Sequence, residues 1–253
     1  MRFCVLGSGS RGNSLLVQSN NTCVMVDNGF SVRETERRLA MKSINPDQIN
    51  AILVTHEHSD HITGVGAFAR KYQITVVATR GTLSSHRLGK LEKIRTIDCH
   101  NAFEIKDLFI EPFPVPHDAT EPCQFVIGNG NRRFALLTDT GTSTPHIEQQ
   151  VSGCDALMLE CNHDLKLLEQ GDYPYSVKMR VAGDYGHLNN QQAARLLQRI
   201  DSSSLQHLVA AHISEKHNTH GLARQSLSSA LACPEEWIAV ADQQNGVHWC
   251  DIN

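Results

Sequence analysis

Short apolar runs separated by polar turns make up most of the chain, and their lengths predict a fold with many strands. A short, mostly apolar run of about three to six residues between polar or turn-forming residues is typical of a buried strand. The runs that fit this description are Phe3–Leu6, Leu15–Gln18, Thr22–Val26, Ala51–Thr55, Ile74–Ala78, Phe103–Ile105, Phe109–Phe113, Gln124–Ile127, Arg132–Leu137, Asp155–Leu159, His207–Ala211, Trp237–Val240 and Val247–Trp249.

Segments with helical spacing alternate with these strands. Ser31 is placed to cap a helix, because its hydroxyl can accept a hydrogen bond from a free N–H group of the first turn. Further helices are predicted over 62–72, 79–88, 191–199 and 223–231. Two strand-rich halves that each carry helices predict two sheets packed face to face with helices outside, an αββα sandwich of the α/β (α+β) class. No linker or repeat divides the sequence, so residues 1–253 are predicted to form a single domain.

Composition narrows the class of protein. No apolar run reaches the ~20 residues of a membrane span, and the first apolar run is too short for a signal-peptide core. We therefore expect a cytoplasmic protein without membrane association. The eight cysteines are scattered without a C-x-x-C pair, which is typical of reduced thiols and argues against a Cys-ligated zinc. A net charge of −4 argues against a broadly basic surface that coats nucleic acid.

Fourteen histidines are many for 253 residues, and three of them fall in one loop. The segment HEHSDH follows an apolar strand and holds four potential metal ligands. His56 and His58 are two residues apart, so they point to the same side of an extended backbone. Asp60 and His61 follow where the chain turns into a helix, so the loop can supply two neighbouring ions. Imidazole and carboxylate suit Zn²⁺ or Mn²⁺, and the sequence does not choose between them.

Each ion needs further ligands, and three residues at the ends of apolar stretches are candidates. They are His117 in PVPHDA, Asp139 in LLTDTG and His212 in VAAHIS. An isolated histidine near a strand is more often a core or surface residue than a ligand. Here a loop with four ligands requires partners, which favours the metal role.

The loop and these three residues together resemble the metallo-β-lactamase superfamily over nearly the whole chain. The resemblance implies that fold and a ligand set of two triads and one bridge: His56, His58 and His117; Asp60, His61 and His212; and Asp139. Asp27 in VMVDNG matches an early aspartate that supports the ligand loop. Such a carboxylate fixes the tautomer of a ligand imidazole by accepting its N–H.

Four longer motifs resemble the YycJ (WalJ) group of small nucleases within that superfamily. They are LGSGSRGNS at 6–14, LECNHD at 159–164, KMRVAGDYGHLNN at 178–190 and AHISEKHN at 211–218. The chain departs at Asn189 and Ile213, where the group usually has Ser and Leu. The resemblance implies a 5′ to 3′ exodeoxyribonuclease that cleaves phosphodiester bonds with a hydroxide activated by two divalent ions. Its partner would be single-stranded or 5′-phosphorylated DNA ends.

Five residues in the ligand loop and these motifs are candidates for roles in catalysis or support. Asp60 is the carboxylate best placed to accept a proton from the attacking water, although it can equally be a ligand only. Arg180 and His187 are candidate contacts to substrate phosphate, since guanidinium matches phosphate in a bidentate manner, and His187 is also a candidate catalytic residue. Glu160 and His163 are candidates for supporting the ligands or lining the pocket.

The glycine-rich segment GSGSRGNS is a weaker candidate for binding an anion. Its glycines allow backbone N–H groups to approach a phosphate, and Ser8, Ser10 and Asn13 add donors. A plain turn between two strands explains the same segment equally well.

Other functions stay open at this point. The same chemistry attacks acyl carbon, so a lactonase or thioesterase is an alternative. An RNA-processing nuclease is another, although the segment between Asp139 and His212 is too short for the inserted domain of RNase J-like relatives. A metal-dependent regulatory module without catalysis is a third. The oligomeric state cannot be read from the sequence.

Overall fold

Fourteen strands form two mixed sheets of seven strands each in the computed structural model, which describes residues 1–253. The strands are β1 (Arg2–Gly7), β2 (Ser14–Ser19), β3 (Thr22–Val26), β4 (Ile49–Leu53), β5 (Thr75–Thr79), β6 (Ile94–Ile97), β7 (Phe103–Ile105), β8 (Leu108–Pro114), β9 (Cys123–Gly128), β10 (Arg133–Leu137), β11 (Ala156–Glu160), β12 (His207–Ala211), β13 (Ala239–Val240) and β14 (Val247–Asp251). The first sheet has the order β14-β1-β2-β3-β4-β5-β6 and the second the order β13-β12-β11-β10-β9-β8-β7.

Nine α-helices accompany the sheets. They are α1 (Val32–Met41), α2 (Ser59–Ile62), α3 (Val65–Tyr72), α4 (Arg80–Leu83), α5 (Pro145–Val151), α6 (Leu165–Gln170), α7 (Tyr175–Ala182), α8 (Asn190–Leu197) and α9 (His220–Leu231). None of them combines the length and the apolar character that crossing a lipid bilayer would need.

The core has three layers of apolar side chains, which confirms the predicted αββα sandwich. In β1, Phe3 and Val5 pack between the two sheets, whereas Cys4 and Leu6 pack beneath the outer helices. This alternation follows from the period of two along a strand, and burial on both faces explains why the strand reads as a continuous apolar run. On the far side, α5, α8 and α9 cover the second sheet.

Several elements differ from those that the sequence pattern predicts. The predicted helix over 79–88 forms only α4 and a separate 3-10 turn at His86–Leu88, since Ser84 ends the first helix. The predicted helix over 62–72 is divided at Gly64, where a Cβ would lie 1.8 Å from the Phe30 carbonyl oxygen. The pattern also misses β6, whose residues are mostly exposed and therefore need no apolar alternation.

The helices α5, α6 and α7 are not predicted either. The first two carry capping signals that could have revealed them, because Thr144 and Asp164 accept hydrogen bonds from the first-turn N–H groups of these helices. By contrast, α7 has no buried residue and begins at Pro174 without a side-chain cap. A helix without an apolar stripe leaves no periodic signal in the sequence.

Parallel strands lie side by side in both sheets, and this arrangement positions the site. The run β3-β4-β5-β6 is parallel in the first sheet, and β10-β11-β12-β13 is parallel in the second. The carboxyl ends of neighbouring parallel strands meet at one edge of a sheet, which is where open α/β sheets bind ligands. Here both edges face the same cleft.

Candidate metal centre

Polar side chains follow the carboxyl ends of the parallel strands in both sheets. Asp27 follows β3, Asp139 lies two residues beyond β10, and His212 directly follows β12. All three have a left-handed backbone, with φ of 56°, 53° and 52°. This conformation is costly for residues other than glycine and is concentrated at functional sites. The strained backbone turns each strand end sharply, so that its side chain points into the cleft.

The structure brings together all seven residues that the sequence predicts as metal ligands. His56, His58 and His117 offer ligand atoms that lie within 4.8 Å of one another, and so do Asp60, His61 and His212. These are the two triads that the resemblance implies. A third group within the same distance contains Asp139 and two histidines of the loop, His56 and His61.

Asp139 lies close to residues of both triads. Its Oδ2 is 3.3 Å from Nε2 of His61, and its Oδ1 is 3.5 Å from Nδ1 of His212 and 3.9 Å from Nε2 of His117. Asp60 adds a second carboxylate on the side of His61, with Oδ2 3.4 Å from Nε2 of that residue and 3.4 Å from Nε2 of His212. Carboxylate oxygens therefore lie close to the histidines of both triads.

Two buried atoms of this cluster have no hydrogen-bond partner, and they test whether cations fit. They are Nε2 of His56 and Oδ2 of Asp139. Buried polar atoms are paired in the large majority of cases, so each orphan needs an explanation. Both are good ligand atoms for a borderline divalent ion. The residues present therefore fit a metal centre of histidines and carboxylates.

The pKa values of the histidines show how the metal-free cluster carries its charge. Burial, together with the neighbouring histidines, holds the pKa of His56 well below its usual range. Burial also opposes the charged form of His61 and His212, but the surrounding carboxylates, Asp139 first, raise the pKa of both well above the usual range. Without metal, protons supply the positive charge that the carboxylates require. Divalent cations would replace those protons.

Asp27 holds the candidate ligand loop through three hydrogen bonds. Its Oδ1 accepts from the backbone N–H of Thr55 at 2.8 Å, and its Oδ2 accepts from Thr55 Oγ1 at 2.8 Å. The same Oδ2 is 2.8 Å from Nδ1 of His61. Because Nδ1 then carries the proton, the lone pair of Nε2 is free to bind a cation. Thr55, which sequence reasoning did not single out, completes this link.

Glu160 supports the other side of the centre from a fully buried position. Its Oε1 accepts from Nδ1 of His187 at 2.9 Å and from Nδ1 of His212 at 3.0 Å. Its Oε2 accepts from the backbone N–H groups of Leu188 and Thr140 at 3.0 and 3.2 Å. Burial alone would raise the pKa of this carboxyl, but His187 and His212 hold it well below its usual range. Glu160 is therefore an ionised carboxylate with all its partners in place.

The glycine-rich segment is hydrogen-bonded to two of the candidate ligands. Ser8 and Asn13 are buried, whereas Ser10 is exposed and lines the cavity. Asn13 Nδ2 donates to Asp60 Oδ2 at 3.1 Å, and Ser8 Oγ accepts from the backbone N–H of His212 at 2.9 Å. The structure thus gives Ser8 and Asn13 partners within the metal centre, and their predicted contact to substrate stays a prediction.

Gly29 allows this segment to approach the ligand loop closely, and substitution there should disturb both. The N–H of Asn13 donates to the Asp60 carbonyl at 2.8 Å, and a Cβ on Gly29 would lie 1.9 Å from that same oxygen. We expect Gly29→Ala to lower the free energy of unfolding by about 1–3 kcal/mol, since the backbone must move. Urea unfolding of the metal-free protein measures this effect.

A second glycine provides the matched control for this substitution. Gly221 lies in α9, where the nearest atom to an added Cβ is 4.0 Å away. Gly221→Ala should leave stability unchanged or raise it by up to about 1 kcal/mol, because alanine favours a helix. Equal unfolding free energies for Gly29→Ala and wild type would contradict the close packing described for Gly29.

The remaining predicted site residues line a cavity of about 360 Å³ that opens onto Asp60, Asp139 and His212. His187 reaches it from beside Glu160, and His163 is fully buried with neither ring nitrogen paired. Arg180 is exposed, and its Nε donates to Asp118 Oδ2 at 2.6 Å.

Two further residues of the site were missed by sequence reasoning. Asp118 contacts the first triad, because its backbone oxygen is 3.2 Å from Nε2 of His58. Asn162 donates to the backbone oxygen of His212 at 3.0 Å. Asp118 directly follows the predicted ligand His117, and Asn162 lies within the motif LECNHD. Neither residue has a spacing of its own that would predict a place in the site.

Comparisons with known proteins agree with this geometry. A family model described as the beta-lactamase superfamily domain matches residues 22–213. The chain is 37% identical over 236 residues to the exodeoxyribonuclease YycJ of Bacillus anthracis, and the aligned region covers 91% of this chain and 89% of the relative. It is 33% identical over 245 residues to the exodeoxyribonuclease WalJ of Streptococcus pneumoniae, with 94% and 91% covered.

Among solved structures, the metallo-β-lactamase-fold protein YhfI from Bacillus subtilis superposes with a TM-score of 0.78 at 15% identity, covering 98% of both chains. This likeness concerns the fold, and it confirms the predicted metallo-β-lactamase fold.

Proposed function

This chain belongs to the beta-lactamase superfamily and to the group of YycJ and WalJ within it, and we propose on that premise that it is a metal-dependent exodeoxyribonuclease acting from the 5′ end of DNA. It is a metallo-β-lactamase-fold hydrolase. The two relatives named exodeoxyribonucleases align with it over 89% and 91% of their own length. We propose two ions, Zn²⁺ or Mn²⁺, since histidine and carboxylate donors suit both. The unpaired state of all eight cysteines fits a proposed location in the cytoplasm.

The observation that carries this proposal is the placement of Asp139 between two triads of ligands. His56, His58 and His117 would hold one ion, and Asp60, His61 and His212 the other. When bound, two divalent ions lower the pKa of water and polarise the phosphate oxygens, so that both the attacking and the leaving oxygen are stabilised.

The side chains around the centre divide the proton transfers between them. A water oxygen forms a bond to phosphorus while the ester P–O bond to the leaving oxygen breaks. Asp60 accepts the proton of the water at a carboxylate oxygen, because its side chain lies at the opening of the cavity. His187 donates a proton to the leaving oxygen through Nε2, while its Nδ1 donates to Glu160. The protons thereby balance.

Substrate contacts outside the metals fall to residues on the cavity wall. Arg180 reaches solvent, and its fork of N–H groups can bind a phosphate of the strand if it leaves Asp118. Ser10 also lines the cavity, and its exposed hydroxyl can donate to a phosphate. Ser8 and Asn13 act, in this proposal, as positioning residues for His212 and Asp60.

The test compares one enzyme preparation on matched substrates. The chain is stripped of metal, reloaded with Mn²⁺ or Zn²⁺, and incubated with single-stranded DNA carrying either a 5′-phosphate or a 5′-hydroxyl and a 3′ label. We expect stepwise shortening of the labelled strand with release of mononucleotides, faster with the 5′-phosphate. RNA of the same sequence, a thioester and a lactone are the comparison substrates.

Each alternative has its own outcome in this experiment. Faster cleavage of RNA than of DNA would favour an RNA-processing nuclease. Turnover of the thioester or lactone with intact DNA would show a hydrolase of carbonyl esters and overturn the proposed function. The metal-stripped chain without added ions serves as the control for contaminating nucleases.

A further inference from the structure

The cavity beside the metal centre is lined by two chemically different groups of residues. One group includes the candidate ligands Asp60, Asp139 and His212 with polar neighbours, and the other is apolar. The apolar group consists of Leu168, Tyr173, Val177, Val181 and Ile213, most of them on or near α6 and α7. A phosphate alone needs no apolar wall, so the cavity is built for a ligand that has both a charged and an apolar part.

The position of α7 supports this interpretation. None of its eight residues is buried, so the helix has no side chain in the core of the protein. Val177 and Val181 are partly exposed and face the cavity. Apolar area left in contact with water is unfavourable by about 25 cal/mol per Å². Covering these side chains with a ligand would recover that free energy.

Two buried imidazoles among the residues that line the cavity are a second, independent observation. His163 is 0% exposed and neither of its ring nitrogens has a partner, and His217 is 2% exposed with Nδ1 unpaired. Both residues line the cavity. The ring of His217 packs against Tyr173 with centroids 4.2 Å apart. Unpaired buried polar atoms indicate a group that the protein alone does not supply.

We propose that this cavity is a subsite for one nucleoside of the substrate, adjacent to the phosphate that lies on the metal centre. This inference rests on the proposed function and specifies how much of the strand the site accepts. The sugar and base would lie against Leu168, Tyr173 and Val177, with hydrogen-bonding edges toward His163 and Lys216. A volume of about 360 Å³ is at the lower end of the range for small-molecule sites, about 300–1,000 Å³.

Such a subsite explains why the enzyme would release mononucleotides. The apolar residues of α6 and α7 line the same cavity as Asp60, Asp139 and His212, so the end of a strand bound at the centre would contact them. In this proposal one nucleoside lies between the cleaved phosphate and this apolar wall. An exonuclease that removes one nucleotide at a time needs a stop of this kind.

Binding of a nucleotide tests the subsite without turnover. Deoxyadenosine 3′-monophosphate, in which the phosphate is attached as it is to the terminal nucleoside of the strand, and inorganic phosphate are titrated into the Mn²⁺-loaded chain by calorimetry. Phosphate can contact only the metal end, whereas the nucleotide also reaches the wall. We expect the nucleotide to bind at least about tenfold more tightly than phosphate, which corresponds to about 1.4 kcal/mol.

Substitutions on α7 assign the effect to the wall. Val177→Trp places a large side chain in the cavity and should weaken nucleotide binding by about tenfold, with phosphate binding unchanged. Met179→Trp is the matched control, because Met179 is on the same helix, 55% exposed and outside the cavity lining. Val177→Ala tests the same wall by truncation, and should weaken nucleotide binding less, in case the tryptophan variant does not fold.

Two outcomes would overturn the subsite: equal affinity of wild type for nucleotide and phosphate, or nucleotide affinity unchanged in both Val177 variants. Failure of the proposed function is distinguishable from either. Wild type that binds the nucleotide selectively but leaves DNA intact would overturn the exodeoxyribonuclease and retain the nucleoside subsite.

Discussion

Asp139→Ala is expected to lower phosphodiester cleavage by about 10³-fold or more and to reduce the number of divalent ions bound per chain. Asp139 lies close to His61 and His212 of one triad and to His117 of the other, so its loss should affect both proposed cation sites. Metal ions contribute several kcal/mol of charge stabilisation in the transition state, and each 1.36 kcal/mol is a factor of ten in rate. The measurements are kcat/KM on single-stranded DNA and metal content by elemental analysis.

Two further variants separate this effect from a loss of structure. Asp139→Asn keeps the shape and one ligand oxygen, and should retain more metal than the alanine variant while losing most of the activity. Asp251→Ala removes an exposed carboxylate at the end of β14 and should behave as wild type. Activity of Asp139→Ala within tenfold of wild type, with full metal content, would show that this residue does not bridge the centre.

Glu160→Gln is expected to lower metal affinity by about 10–100-fold, the usual cost of losing a residue that orients a ligand. The amide oxygen can still accept from Leu188 and Thr140, but an amide cannot accept from Nδ1 of both His187 and His212 as the carboxylate does. The imidazole of His212 then loses the partner that fixes its tautomer. Competition with a chelator of known affinity measures the effect.

The pH dependence of stability gives this variant a second signature. The pKa of Glu160 is lowered in the folded chain, so the stability it contributes is present above its unfolded pKa, about 4.3, and is lost as the pH falls toward the lower folded value. The difference in unfolding free energy between metal-free wild type and Glu160→Gln should therefore be largest near neutral pH and shrink below about pH 4. Glu236→Gln, at an exposed position, should show no such difference. A gap that is constant with pH would mean that the carboxylate is not ionised in the folded state.

The location of the candidate metal centre could be predicted because its residue types are concentrated at strand ends. Four of the seven candidate ligands lie in one short loop, and His117, Asp139 and His212 each follow an apolar run. The strands themselves are apolar on both faces, so the sandwich could also be predicted. These features depend on local sequence, which a single chain displays directly.

Contacts between distant segments could not be predicted in the same way. Ser8 accepts a hydrogen bond from the N–H of His212, which is 204 residues away in the chain. Nothing in the sequence of a glycine-rich turn indicates that its serine has such a partner. The spacing of the glycines is equally compatible with anion binding and with a plain turn. The sequence pattern also does not predict α7, because a helix without buried residues has no apolar periodicity.

The division of the ligands between the two sheets has a consequence for folding. The first sheet supplies the loop with His56, His58, Asp60 and His61, while the second supplies His117, Asp139 and His212, and Asp60 is 152 residues from His212 in sequence. Neither half can assemble a complete site, so tight metal uptake must follow the docking of the halves and then acts as a long-range cross-link between them. Contacts of such sequence separation form slowly. Metal capture during refolding should therefore report the last step of assembly, the closure of the sandwich.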